Sequence, residues 1–332
     1  MPPYTLPLPL DGREAHYEAL FRDVFLPHYQ RSDEGWLEGV GGKRIHYRVF
    51  PCAEEKASVV LLPGRTESHI KYAETLFDLN QAGYTVFTLD HRGQGYSERL
   101  SSDPELGHVE TFDDYVTDLR TFMREVVAQR AGPNLYFLAH SMGAAIASGY
   151  LLKDKPALRG IVFSSPMLRI HFGRIPRRIV YALTRLRGAF GHAQRSIVPE
   201  RLDVDSYGAD LTRSEARLAH YRRLLRENPG LRLGPPSNHW MRRAIEATDP
   251  LLMPRALHAF PAPVLLLEAG CDTVLRIDAN RAFEGLGSWM LKATFPDAMH
   301  DLFIERDTVR KKALTVLFLF LQENAREEPP TP

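Results

Sequence analysis

The sequence of 332 residues predicts an α/β protein: a mostly parallel central sheet covered on both faces by helices, with a helical cap inserted late in the chain. Three observations lead there. Short continuous apolar runs, such as residues 58–62 (SVVLL) and 263–268 (PVLLLE), have the pattern of strands buried on both faces. Stretches of helical periodicity separate these runs, so consecutive strands are joined by crossovers and lie parallel. Between about residues 167 and 250 the alternation stops, and the chain there holds no convincing buried strand.

Taken in order, residues 1–40 read as an N-terminal helical extension in which residues 14–29 (EAHYEALFRDVFLPHY) form an amphipathic helix. The core is expected from 41–166 and 251–325, with the cap at 167–250. Residues 43–50 alternate and predict a strand. The strand at 58–62 is broken by Pro63-Gly64, and a helix over 69–82 stops at Gly83. A strand at 84–89, a helix over 111–130 opened by Thr111, and a strand at 134–139 follow. Next come a helix of small residues at 142–152 and a strand at 160–163. Beyond the cap, strands at 263–268 and 290–295 alternate with helices over 276–286 and 308–324.

Composition narrows the function. Apolar residues make up 44% of the chain and charged residues 25%, with a net charge of +1, which excludes a disordered polyelectrolyte and argues against a nucleic-acid partner. Cys52 and Cys271 are the only cysteines, so neither a disulfide framework nor a clustered zinc site is expected, and the metal expectation is none. No run of 18 apolar residues suggests a spanning helix. The first ten residues hold four prolines and no basic stretch ahead of an apolar run, unlike a secretory signal. The expectation is a cytoplasmic protein, free or peripheral at the inner face of the membrane.

The most informative window is Leu138-Ala139-His140-Ser141-Met142-Gly143-Ala144-Ala145. A strand ends, a small-x-Ser-x-Gly turn follows, and a helix of small residues begins. This is the nucleophile elbow, where the serine occupies a strained turn and the residues two before and two after it must be small so that strand and helix can approach. The order of elements then places an acid after a later strand and a histidine after the last one. Asp272 follows the strand at 263–268 and His300 follows the strand at 290–295, so Ser141, Asp272 and His300 form the candidate catalytic set. The backbone N–H groups of Met142, after the nucleophile, and of Arg65, in the loop after an early strand, are the candidate oxyanion donors. Ser164 and Ser165 also end a strand but lack the following helix of small residues, and His140 is expected to point away from the nucleophile.

Together, Pro63-Gly64-Arg65-Thr66-Glu67-Ser68, Lys71-Tyr72-Ala73-Glu74, Asp90-His91-Arg92-Gly93-Gln94-Gly95-x-Ser97 and Ala139-His140-Ser141-Met142-Gly143 resemble bacterial lysophospholipases of the L2 type. These belong to the α/β-hydrolase superfamily, near the monoacylglycerol lipases. The resemblance is dense over about 40–170 and returns at Asp272 and His300. It implies cofactor-free hydrolysis of a carboxylic ester through an acyl-enzyme, with a fatty acid released from a lysophospholipid. A monoacylglycerol lipase, a general carboxylesterase and a non-catalytic ligand receptor on the same fold are the alternatives. Carried over residue by residue, it implies Ser141, Asp272 and His300 as the triad and Arg65 and Met142 as oxyanion donors. Many relatives open the oxyanion loop with His-Gly where this chain has Pro63-Gly64-Arg65, which leaves open an ion pair between Arg65 and Glu67 that would support the loop. The loop from Asp90 to Ser97 is expected to be structural, with Asp90 and Arg92 bracing the elbow.

The cap is strongly basic. From Arg169 to Arg243 there are sixteen arginines and no lysine against six carboxylates. Within 174–187 (RIPRRIVYALTRLR), Ile175, Ile179, Ala182, Leu183 and Leu186 fall on one stripe, with Arg174, Arg178 and Arg185 on another and Arg177 close by. Such a helix either packs its apolar stripe on the core or rests on an anionic membrane surface.

Overall fold

The computed structural model describes residues 9–198, 203–253 and 259–325, with the side chains of 284–288 excepted. Eight strands form one sheet: β1 (Asp33–Glu38), β2 (Arg44–Phe50), β3 (Ala57–Leu62), β4 (Tyr84–Leu89), β5 (Leu135–His140), β6 (Gly160–Ser164), β7 (Val264–Ala269) and β8 (Met290–Phe295). Their order is β1-β2-β4-β3-β5-β6-β7-β8. Pairing is antiparallel from β1 to β4 and parallel from β4 to β8. The main helices are α1 (Ala73–Gln81), α2 (Phe112–Phe122), α3 (Met142–Asp154), α4 (Arg177–Arg187), α5 (Glu215–Glu227), α6 (Asn238–Thr248) and α7 (Asp307–Asn324).

The continuous apolar runs behave as buried parallel strands do. Every residue of β3, β4, β6 and β7 is buried. The side chains of β3, β4, β5 and β6 alternate between two cores, with Val60, Leu62, Phe87, Phe137 and Phe163 on one face and Val59, Leu61, Val86, Leu138 and Val162 on the other. The edge strand β8 instead leaves Leu291 and Lys292 exposed.

One expectation fails at the N-terminus. Residues 14–30 are helical in short segments, but 33–38 is the edge strand β1, so the first forty residues are not a purely helical extension. In DEGWLE only Leu37 is buried, and that single inward residue gives almost no alternation to read. Pairing with β2, together with the Arg44 guanidinium 4.2 Å from the Trp36 ring, compensates for the weak intrinsic preference. The Gly41-Gly42 turn that joins the two strands has both glycines at positive φ, +70° and +72°.

The chain leaves the sheet after β6 and returns at β7, and α4, α5 and α6 lie in between. A buried ionic cluster fixes α5. Arg217 bonds Glu74 at 2.8 Å and Asp307 at 2.7 Å, Arg13 bonds Glu74 at 3.0 Å and Asp78 at 2.9 Å, and Arg310 bonds Asp78 at 2.7 Å. The cluster joins the N-terminal segment, α1, α5 and α7.

Helix α4 does not pack its apolar stripe on the core. Ile175, Ile179, Leu183, Leu186 and Phe190 are exposed, and the inward side is Val180 and Thr184. Polar anchors set this rotation: Tyr181 donates to Glu246 at 3.0 Å, and Arg177 pairs with Asp249 and donates to the Ile245 carbonyl.

Candidate active site

The candidate catalytic residues Ser141, Asp272 and His300, with the amides of Arg65 and Met142, sit at the carboxyl ends of the parallel strands, where side chains and loop amides from different strands converge. Ser141 follows β5 with φ +51° and ψ −116°, the strained turn that the elbow requires. Strand and helix touch there: a Cβ on Gly143 would lie 2.5 Å from the Leu62 carbonyl oxygen and 2.6 Å from that of Pro63. Ala139, also small, is fully buried.

Asp272 and His300 come to Ser141 from the loops after β7 and β8. His300 Nε2 is 3.0 Å from Ser141 Oγ, and His300 Nδ1 is 2.7 Å from Asp272 Oδ2. A carboxylate only accepts, so Nδ1 carries the proton and Nε2 is left to accept from the hydroxyl. The other carboxylate oxygen, Asp272 Oδ1, accepts the N–H groups of Val274 at 2.8 Å and Leu275 at 2.9 Å. Burial pushes the Asp272 carboxyl up, but the hydrogen bond and charge of His300, with these two amides, outweigh it and hold the group below the usual carboxylate value.

The loop after β3 approaches the same point. Met142 opens α3, so its N–H has no acceptor within the helix. Among the hydrogen bonds of the described residues, the Arg65 N–H also has no protein acceptor. The pairing of Arg65 with Glu67 does not occur. Glu67 instead accepts from the Gly64 N–H at 2.5 Å and Tyr72 Oη at 2.6 Å, and pairs with Lys71. Lys71 also bonds Asp301 at 2.7 Å. Burial alone would lower Lys71 and raise the two carboxyls, yet their mutual attraction reverses each shift: Lys71 is raised and Glu67 and Asp301 are lowered. The Arg65 guanidinium turns the other way, donating to the Gly234 carbonyl at 2.6 Å and lying 5.0 Å from the Trp240 ring. Burial lowers its pKa to about 10, so it stays protonated at neutral pH.

The Asp90–Ser97 loop is structural, but it braces the oxyanion loop rather than the elbow. Gln94 Nε2 donates to the carbonyls of Gly64 and Glu67, and His91 Nε2 bonds the Pro63 carbonyl at 3.1 Å. Asp90 accepts from the His69 and Tyr96 amides and from Ser68, while Arg92 pairs with Asp118 on α2. His140 does point away from Ser141 and bonds the Ser164 carbonyl at 3.2 Å. The sequence reading missed the supporting group of Glu67, Lys71 and Asp301. Its available signal was Asp301 directly after His300 and Lys71 one turn after Glu67.

A cavity of about 380 Å³ opens on Ser141 and His300. Its lining is mostly apolar, with Met167, Ile170, Met241, Val274 and Leu275 among others, and includes the polar side chains of Arg65, Thr66, Tyr207 and Asp210. Tyr207, from the segment between β6 and β7, reaches the oxyanion loop through a 2.9 Å bond to the Thr66 hydroxyl. No helix among the described residues is long and apolar enough to cross a membrane.

Comparison with known proteins shows the family. The Hydrolase_4 family model, described as "Serine aminopeptidase, S33", matches residues 53–307. Lysophospholipase L2 of Escherichia coli is 32% identical over 95% of this chain and 94% of its own length. A monoacylglycerol lipase of Mycolicibacterium smegmatis is 31% identical over 54% of this chain and 61% of its own. Among solved structures, a soluble variant of Saccharomyces cerevisiae monoglyceride lipase superposes with a TM-score of 0.69 at 20% identity, covering 88% of this chain and 96% of that one.

Proposed function

Given that this chain belongs to the Hydrolase_4 family of α/β-hydrolases, among the relatives of lysophospholipase L2, we propose that it hydrolyses lysophospholipids. The chain is a carboxylic ester hydrolase. The observation that supports the finer reading is the relay of Ser141, His300 and Asp272 opening into a mostly apolar cavity that also holds the Arg65 guanidinium. The apolar lining suits one acyl chain, and the few polar side chains suit a headgroup.

In this reading Ser141 Oγ attacks the acyl carbonyl carbon while His300 Nε2 takes the hydroxyl proton, and Asp272 stabilises the imidazolium that forms. The N–H groups of Arg65 and Met142 stabilise the oxyanion, each worth roughly 3 kcal/mol. Collapse of the tetrahedral intermediate breaks the ester C–O bond, and the glycerophospho alcohol leaves with the proton from His300. Water, deprotonated by His300, then attacks the acyl-enzyme, and the fatty acid departs as Ser141 regains its proton.

The exposed stripe of α4 supports a peripheral contact with an anionic lipid surface. Ile175, Ile179, Leu183, Leu186 and Phe190 would enter the interface, with Arg174, Arg178 and Arg185 beside the headgroups.

The test is turnover of a lipid panel by the purified protein beside Ser141→Ala. Release of fatty acid from lysophosphatidylethanolamine, lost in Ser141→Ala, is the expected result. Turnover confined to monoacylglycerol or short esters overturns the substrate assignment, and equal turnover by both proteins overturns the role of Ser141.

A further inference from the structure

The proposed chemistry uses the backbone of Arg65 and leaves its side chain without a task. That side chain lines the same cavity as Ser141 and His300. Its place is well defined: Nη2 is held by the Gly234 carbonyl, the guanidinium faces Trp240, and a Cβ on Gly107 would collide with it. Its charge is not answered. No carboxylate among the described residues forms an ion pair with it, and its Nε is buried without a hydrogen-bond partner. Glu67, two residues on, is saturated by Lys71, Tyr72 and the Gly64 N–H. Asp210, the other acidic residue on the wall, is exposed at the rim.

The contrast with Lys71 is informative, because that buried cation has two carboxylates against it. The Arg65 side chain is half-buried, and its enclosed Nε donor without a partner or counter-charge is costly unless something else supplies the anion. The nature of the anion follows from position. In the substrate reading above, the Arg65 N–H meets the carbonyl oxygen of the scissile ester, and its side chain lines the same cavity. In a lysophospholipid one glycerol unit separates the ester carbonyl from the phosphate, so both fall within one cavity of this size.

We infer that the Arg65 guanidinium binds the phosphodiester of the lysophospholipid headgroup and so selects lysophospholipids over neutral monoacylglycerols. This rests on the substrate reading above. The planar fork of Arg65 presents donors that match a phosphate, and charge-assisted hydrogen bonds of this kind are about twice as strong as neutral ones.

The test compares lysophosphatidylethanolamine with the monoacylglycerol of the same acyl chain, in the same mixed micelles, for wild type, Arg65→Gln and Arg65→Lys. The quantity read is the ratio of the two kcat/KM values, from which any general disturbance of the oxyanion loop divides out. Arg65→Gln is expected to lower the ratio by about 10- to 100-fold, and Arg65→Lys to regain part of it. A ratio within twofold of wild type in Arg65→Gln overturns the inference. A measurement on wild type alone guards against misfolded variants: glycerophosphoethanolamine should compete with a neutral short-chain ester well below the concentration at which glycerol does, and equal competition by the two overturns the inference. Failure of the substrate reading is separately visible, as absence of lysophosphatidylethanolamine turnover by wild type beside active monoacylglycerol turnover.

Discussion

Gly143 is where the elbow and the oxyanion loop meet, and it gives the sharpest test of the site. A methyl group there would sit 2.5 Å from the Leu62 carbonyl oxygen and 2.6 Å from that of Pro63, against an ordinary contact of 3.4 Å or more. Both obstacles are backbone atoms, so no side chain can swing aside. Relief requires the loop to retreat by about 0.9 Å, or α3 to shift by as much. Either movement carries the Arg65 N–H away from the Met142 N–H, the two donors proposed for the oxyanion. Loss of one such donor costs about 10²–10³ in kcat. Overpacking of this kind costs roughly 1–3 kcal/mol in stability, which a well-buried core of this size tolerates. Gly143→Ala should therefore fold, melt a few degrees below wild type, and hydrolyse p-nitrophenyl butyrate with kcat reduced at least a hundredfold. A folded Gly143→Ala protein whose kcat lies within threefold of wild type would refute the placement of the oxyanion donors.

Asp272→Asn should keep the fold but lower kcat by about 10⁴, because an amide can donate to Nδ1 and favour the wrong imidazole tautomer; steady-state kinetics on the same ester would show it, and a loss below tenfold would remove Asp272 from the relay. Lys71→Met should destabilise the protein by about 3–5 kcal/mol at pH 7, since Glu67 and Asp301 are left buried without a cation. In wild type both carboxyls lie below their unfolded values, so their contribution is complete above the unfolded range near pH 4 and is lost as pH falls through the native values. In Lys71→Met the shift reverses, so the gap between the two proteins should narrow in urea melts from pH 7 to pH 5; a constant gap contradicts the ion-pair account. Replacing Arg174, Arg178 and Arg185 by Gln should weaken binding to phosphatidylglycerol vesicles by on the order of 10², at about 1 kcal/mol per charge, with kcat on the soluble ester unchanged. Unaltered sedimentation with vesicles would exclude α4 as the contact.

The sequence was most legible where one physical demand leaves few residue choices. A strained turn between a buried strand and a close-packed helix requires small neighbours around Ser141, and the ordered strands then point to Asp272 and His300. The parallel strands were legible because burial on both faces forces continuous apolar runs. Strand β1 was not, since an edge strand with Leu37 as its only buried residue is held by pairing rather than by composition. The partner of Arg65 was left open because Glu67 lies close in sequence, whereas the turn after Gly64 sends the two side chains in opposite directions, one into Lys71 and one under Gly234. The orientation of α4 was open for a related reason. Its apolar stripe suits a core as well as a lipid surface, and the choice was made by Arg177 and Tyr181, whose partners Asp249 and Glu246 lie more than sixty residues away.

The six-residue charge cluster around Glu74 and Asp78 makes the two legs of the insertion mechanically unequal. Arg217 bolts α5 to α1 and α7, and Arg13 locks the same joint from the opposite end of the chain. Helix α4 reaches its neighbours through Arg177, Tyr181 and a single buried valine and threonine. The α5 side of the insertion is therefore bolted at several buried points, while α4, which carries the exposed leucines and isoleucines, is held by few contacts and stands outside the wall of the cavity at Ser141.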